Sequence, residues 1–145
     1  MNMQFRDLQK QYEILKTDIN KAIEQVLTKA NFISGSQVTE LETALADFTG
    51  TKHCITCANG TDALTLALMV WDIGPGDAVF VPDFTFFASA ETPAYEGATP
   101  IFVDVDEDTF NISPSSLEEA ILRVKEEGKL TPKVVITVDL FGQPS

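Results

Sequence analysis

Apolar residues recur in steps of four and three over residues 5–30, where Leu8, Tyr12, Leu15, Ile19, Ala22 and Val26 form one stripe. That period predicts a helix. Asn31 to Ser36 interrupt it with loop residues. A shorter helix follows, with Val38, Leu41, Leu45 and Phe48 on one face and Gly50 in the usual terminating position. Beyond residue 51 the pattern alternates between short apolar runs and helical stretches. Residues 52–57 read as a strand, and 61–71 as a helix with Leu64, Ala67, Leu68 and Trp71 on one side. Gly74-Pro75-Gly76-Asp77 is a turn. Residues 78–81 carry no polar side chain, the mark of a strand covered on both faces. Pro82 to Thr85 turn into a helix over about residues 87–96, closed by Gly97. A strand at 100–105, an acidic loop at 106–113, a helix at 114–127 opened by Pro114 and a buried strand at 133–138 complete the series.

Strands alternating with helices predict an α/β fold, a three-layer sandwich with a mainly parallel sheet and right-handed crossovers. Residues 1–50 read as an amino-terminal helical segment, and 51–145 as the first part of a larger domain. Strand 133–138 is followed only by the turn Asp139 to Ser145, with no element to cover it. The expectation is therefore that this domain continues beyond Ser145.

Composition narrows the function. The chain has 145 residues, 44% hydrophobic and 22% charged, which is normal for a globular protein with a core. No apolar run approaches the roughly 20 residues of a membrane helix. The start, Met1-Asn2-Met3-Gln4-Phe5-Arg6-Asp7, lacks the basic and apolar regions of a secretory signal, so a cytoplasmic location is expected. The net charge is −12 and no Lys/Arg cluster stands out, which argues against nucleic acid as a partner. An anionic ligand must then be held by locally placed donors. Cys54 and Cys57 lack the second ligand pair of a zinc site and the only histidine, His53, is adjacent, so both cysteines read as small buried thiols and no metal is expected.

Three segments carry candidate chemistry. Cys57-Ala58-Asn59-Gly60-Thr61-Asp62-Ala63-Leu64 joins a strand end to a helix start. Free N–H groups there carry the positive end of the helix dipole, Gly60 lets a ligand approach and Thr61 adds a hydroxyl, which together suit a phosphate. The other reading is a tight turn with Asn59 or Thr61 as a helix cap. Phe84, Phe86 and Phe87 follow the carboxyl end of a strand, where open α/β sheets bind ligands and an aromatic ring can stack on a flat cofactor. Phe84 and Phe87 themselves read as core residues. Asp104, Asp106, Glu107 and Asp108 crowd one loop but lack the glycine and distal glutamate of a calcium loop, so they read as a solvated loop with side-chain-to-backbone turns.

The ordered set Phe5-Arg6-Asp7-Leu8, Phe32-Ile33-Ser34-Gly35, Ala58 to Leu64, Gly74 to Asp77, Phe84-Thr85-Phe86, Gly97-Ala98-Thr99-Pro100, Phe102 to Asp106 and Asp139-Leu140-Phe141-Gly142 resembles the DegT/DnrJ/EryC1/StrS family of sugar aminotransferases. These are fold-type I enzymes that use pyridoxal 5'-phosphate (PLP). Within the family the resemblance is greatest to aminotransferases acting on UDP-linked 3-keto sugars. It implies the aspartate aminotransferase-like large domain, here in part, and transfer of an amino group from L-glutamate to a nucleotide-linked keto-sugar in polysaccharide biosynthesis by a homodimer. It implies that Asn59, Gly60, Thr61 and Phe86 bind the cofactor, Gly60 and Thr61 through its phosphate and Phe86 against its ring. Phe32, Ile33 and Gly35 would lie on the substrate side. The catalytic lysine and the aspartate that pairs with the pyridine nitrogen are expected beyond Ser145, so these 145 residues alone are expected to be inactive. Two departures are the long stretch 123–132 and Asp139, where many relatives have histidine. A sugar dehydratase of the same family, with histidine for the lysine, and a non-enzymatic α/β phosphate-binding domain are the alternatives.

Overall fold

A computed structural model describes residues 6–145, so Phe5, at the head of the expected first helix and of the first family motif, lies outside the described residues. The chain divides into two compact units that meet in sequence between Thr56 and Cys57.

The first unit is helical. Helix α1 spans Leu8–Lys29, with the Asp7 carboxylate accepting the Lys10 amide at its start, and it buries none of its residues. Helix α2 spans Ser36–Thr49 and ends at Gly50, whose φ of 68° is the left-handed cap that glycine adopts without strain. Residues 52–57 do not form the expected strand. A strand exists only against a neighbour, and here the Thr56 amide and hydroxyl bond the Glu42 carboxylate at 2.9 Å each instead of a backbone ladder. The cysteines are accordingly not buried: Cys54 is half-buried and Cys57 exposed, both as free thiols.

The second unit is the α/β layer structure. Helix α3 covers Gly60–Val70, strand β1 Asp77–Pro82, helix α4 Ala88–Tyr95, strand β2 Thr99–Val103, helix α5 Pro114–Glu127 and strand β3 Thr131–Val135. The sheet order is β2-β1-β3 and both pairings are parallel. Alternation along β1 builds two cores. Val79 and Val81 face Leu68, Ile73 and Ala98 on the side of α3 and α4. Ala78 and Phe80 face Val103 of β2 and Ala120 and Val124 of α5 on the other. Each large side chain buried this way contributes about 1.5–3 kcal/mol. The two crossovers run in opposite directions across the sheet and carry their helices on opposite faces, as two crossovers of one hand must.

Several expectations are corrected here. Strand β3 is only half-buried: α5 lies against it and Val134 packs on the Val79 and Val81 cluster, while it forms an edge of the described sheet. Ala67 and Trp71 of the α3 region are exposed, since that helix packs through Leu68. Phe84 and Phe87 are 50% and 72% exposed and are not core residues. They sit in the connection between β1 and α4, where the Phe84 ring stands 5.5 Å from that of Phe110. Val105 leaves β2 and pairs antiparallel with Ile112, which closes the acidic loop. Inside that loop the Asp106 carboxylate accepts the amides of Asp108 and Thr109 and the Thr109 hydroxyl. These bonds, above all that from the Thr109 amide, hold its pKa below the ordinary value.

Candidate functional site

The carboxyl ends of β1 and β3 and the start of α3 enclose a cavity of about 550 Å³. Gly60, Thr61 and Leu64 supply one wall, Thr85, Phe86, Ala88 and Ser89 a second, and residues 136–139 the third. All belong to the second unit. Local sequence explains each wall. Asn59 has extended backbone angles and caps α3: its side-chain oxygen accepts the Asp62 amide at 2.9 Å, and its side-chain nitrogen donates to the Asp62 carboxylate at 3.2 Å. The Ala63 amide donates to the Asn59 carbonyl at 3.2 Å. The amides of Gly60 and Thr61 take no acceptor among the described residues. They are the orphan donors that every helix start must satisfy externally.

Gly60 is informative because nothing in the fold requires it. Its φ lies outside the left-handed region, and a methyl group there would meet no atom within 4 Å. Gly97 is the opposite case: its φ is 80° and a methyl would press the Pro75 ring at 3.1 Å. In the second wall Phe86 is 76% exposed and lies on the cavity, while the Thr85 and Ser89 hydroxyls bond each other at 3.2 Å. Ser89 is buried, so that pair holds the Phe86 turn against the start of α4. In the third wall the Asp139 carboxylate accepts the Ser145 amide at 2.9 Å. Among the described residues no lysine or arginine lines the cavity, and its polar lining consists of amides, hydroxyls and the Asp139 carboxylate.

Of the residues singled out from sequence, Asn59, Gly60, Thr61 and Phe86 come together, three of them lining the cavity and Asn59 shaping its edge. Phe32, Ile33 and Gly35 belong to the first unit, with Phe32 and Ile33 exposed and Gly35 opening α2. Sequence reading missed Thr85, Ser89 and Thr137. Thr85 and Ser89 stand four apart at a helix start and Thr137 near the end of a strand run, so position alone carried a signal. A second cavity of about 290 Å³ lies in the first unit beside Glu42 and His53. Among the described residues no group of three or more His, Cys, Asp and Glu could hold a metal, and no helix is long and apolar enough to cross a membrane.

The chain's likeness to known proteins points to one family. The profile described as the DegT/DnrJ/EryC1/StrS aminotransferase family matches residues 13–145. A Pseudomonas aeruginosa protein described as UDP-2-acetamido-2-deoxy-3-oxo-D-glucuronate aminotransferase is 47% identical over 143 residues, covering 97% of this chain and 37% of that protein. The chain thus spans about a third of the length of such relatives. A crystal structure of a DegT DnrJ EryC1 StrS aminotransferase from Brucella abortus superimposes with a TM-score of 0.95 at 49% identity, over 99% of this chain and 39% of the other. A Streptococcus pneumoniae protein described as a putative sugar aminotransferase, solved in PLP and PMP forms, gives a TM-score of 0.73 at 35% identity, over 85% of this chain and 30% of the other.

Proposed function

Because the chain belongs to the DegT/DnrJ/EryC1/StrS aminotransferase family, we propose that it is the part of a PLP-dependent sugar aminotransferase that holds the cofactor's phosphate. The observation that carries this reading is the pair of unused amides at Gly60 and Thr61, opening onto a cavity of about 550 Å³. The residues present fit the group. The amides and the α3 dipole suit a phosphate, the Thr61 hydroxyl adds a donor, and exposed Phe86 offers a ring face to the pyridine. A bare glycine at position 60 keeps the approach open although alanine would serve the helix better by about 0.5–1 kcal/mol.

When bound, the cofactor supplies an electron sink that lets an amino group pass between carbon atoms. The chain's own share is to grip and orient. Asn59 spends its oxygen on the Asp62 amide and so leaves the two preceding amides for the ligand. The Thr85–Ser89 pair fixes the turn that carries Phe86. The net reaction passes an amino group from L-glutamate to a UDP-linked 3-keto sugar, giving 2-oxoglutarate and the amino sugar. The lysine that moves the proton stands beyond Ser145 of the complete protein, which works as a homodimer in the cytoplasm and serves polysaccharide synthesis. Residues 51–145 form the first part of its PLP-binding domain and 1–50 its helical lead. Phe32 and Ile33 are exposed and free to meet substrate, and Gly35 suits their loop, since a methyl there would press the Asn31 backbone carbonyl at 3.1 Å.

The test is an assay of the complete protein with PLP, L-glutamate and a UDP-linked 3-keto-N-acetylhexosamine. The reading expects 2-oxoglutarate and amino sugar in equal amounts. Loss of the sugar's water with no consumption of glutamate would assign a dehydratase instead.

A further inference from the structure

Among the described residues none of the acidic loop after β2 lines the large cavity, yet that loop is built as a firm platform. The Asp106 carboxylate gathers the Asp108 and Thr109 amides and the Thr109 hydroxyl. The Phe110 amide donates to the Asp106 carbonyl at 2.8 Å, and the Asp106 amide donates to the Asn111 carbonyl at 2.9 Å. What the platform presents is Phe110. Its φ is 59°, a left-handed backbone that is uncommon for so bulky a residue and persists only where its surroundings demand it. Two other rings share it as a partner. Phe84 stands 5.5 Å away, and Phe141, itself at a φ of 58°, meets it edge to face at 6.2 Å.

Those two partners belong to different walls of the cavity. Phe84 stands two residues before Phe86 and Phe141 two residues after Asp139, and Phe86 and Asp139 line the cavity. Phe110 therefore joins the second wall to the third from outside. A polar tie runs the same way: the Asn111 side-chain nitrogen donates to the Pro144 carbonyl at 2.8 Å, and the Ser145 amide to the Asp139 carboxylate at 2.9 Å. The Gly60 and Thr61 wall lies on α3 and takes no part in these contacts. Walls carried on loops hold a ligand in one orientation only when a supporting shell fixes them. We propose that Phe110 is a positioning residue that braces the Phe86 wall against the Asp139 wall and so sets the spacing that receives the cofactor ring. The inference rests on the reading of the cavity as the PLP site, and it assigns Phe110 to the ring and not to the phosphate.

The test uses the complete protein freed of cofactor, with PLP and inorganic phosphate as probes and their competition as the control for the amide wall. Phe110→Ala weakens PLP about three- to tenfold, the scale of an aromatic pair, and leaves the affinity for inorganic phosphate unchanged. Phe110→Tyr keeps the ring, with its hydroxyl at an exposed site, and binds PLP as the original does. In a background of Phe84→Ala with Phe141→Ala, the Phe110→Ala step has no further effect on PLP, because the brace is already gone. Coupling is reciprocal, so in the unmodified protein PLP slows amide exchange across residues 104–113 and inorganic phosphate does not. That measurement needs no variant, so a poorly folding substitution does not rescue the idea. The brace is overturned by equal changes, or none, for the two probes, or by Phe110→Tyr losing as much as Phe110→Ala. A further loss in the doubly substituted background, or exchange at 104–113 that PLP leaves unchanged, overturns it too. If phosphate and PLP do not compete, the reading of the cavity fails and the inference with it.

Discussion

The side-chain oxygen of Asn59 accepts the Asp62 amide at 2.9 Å. This bond decides the character of the α3 start, because it satisfies the third amide and leaves the first two for an external acceptor. It is also a stability contact. Replacing Asn59 with alanine leaves the Asp62 amide unsatisfied and costs about 1 kcal/mol, to be read as a lower urea midpoint with an unchanged denaturant slope.

Gly60→Ala separates binding from folding. The backbone at position 60 accepts any residue and nothing within 4 Å resists a methyl group. The expected result is a protein as stable as the original or more so, by about 0.4–1 kcal/mol. Its affinity for inorganic phosphate and for PLP falls by an order of magnitude or more. Parallel denaturation and titration curves check it; a destabilised variant with undiminished affinity contradicts it.

Phenylalanines divide sharply by place. Phe80 is 1% exposed, packed between the sheet and α5, so Phe80→Ala costs about 3–5 kcal/mol. Phe87 is 72% exposed, and Phe87→Ala changes stability by less than about 0.5 kcal/mol. Comparison of the two midpoints under one set of conditions is the check.

These differences show what the pattern of residues could and could not reveal. The run Ala78 to Val81 and the helix Pro114–Glu127 were legible because an unbroken apolar run and a proline at a helix start are local signals. Phe84 and Phe87 were misread as core because hydrophobicity does not tell which side of a strand's end a loop residue lies on. Residues 52–57 look like a strand by composition, yet a strand also needs a partner, which composition does not report. Asn59, Gly60, Thr61 and Phe86 were nameable in advance through the family's ordered motifs. The Thr85–Ser89 bond and the tie from Asn111 to Pro144 were not, since the latter joins residues 33 apart.

Acid sensitivity has a defined origin in the first unit. The Thr56 amide, and then its hydroxyl, hold the Glu42 carboxyl below its usual value of 4.5. A carboxyl with a depressed folded pKa contributes stability that is present above its unfolded pKa and is lost as the pH falls through the folded one. Glu42→Gln keeps an acceptor but no titrating group. The expected outcome is a stability profile that is flatter below about pH 4.5 than that of the original protein. Unfolding midpoints measured from pH 7 down to 3 test it, and parallel profiles for the two proteins contradict it.

The central claim is that the bare amides at the start of α3 grip a phosphate. The most direct measurement follows backbone amide resonances while inorganic phosphate, then PLP, is titrated into the protein. The account predicts that Gly60 and Thr61 shift first and furthest, saturate, and stop responding in Gly60→Ala. Saturable binding that leaves those two resonances in place and moves others would contradict it.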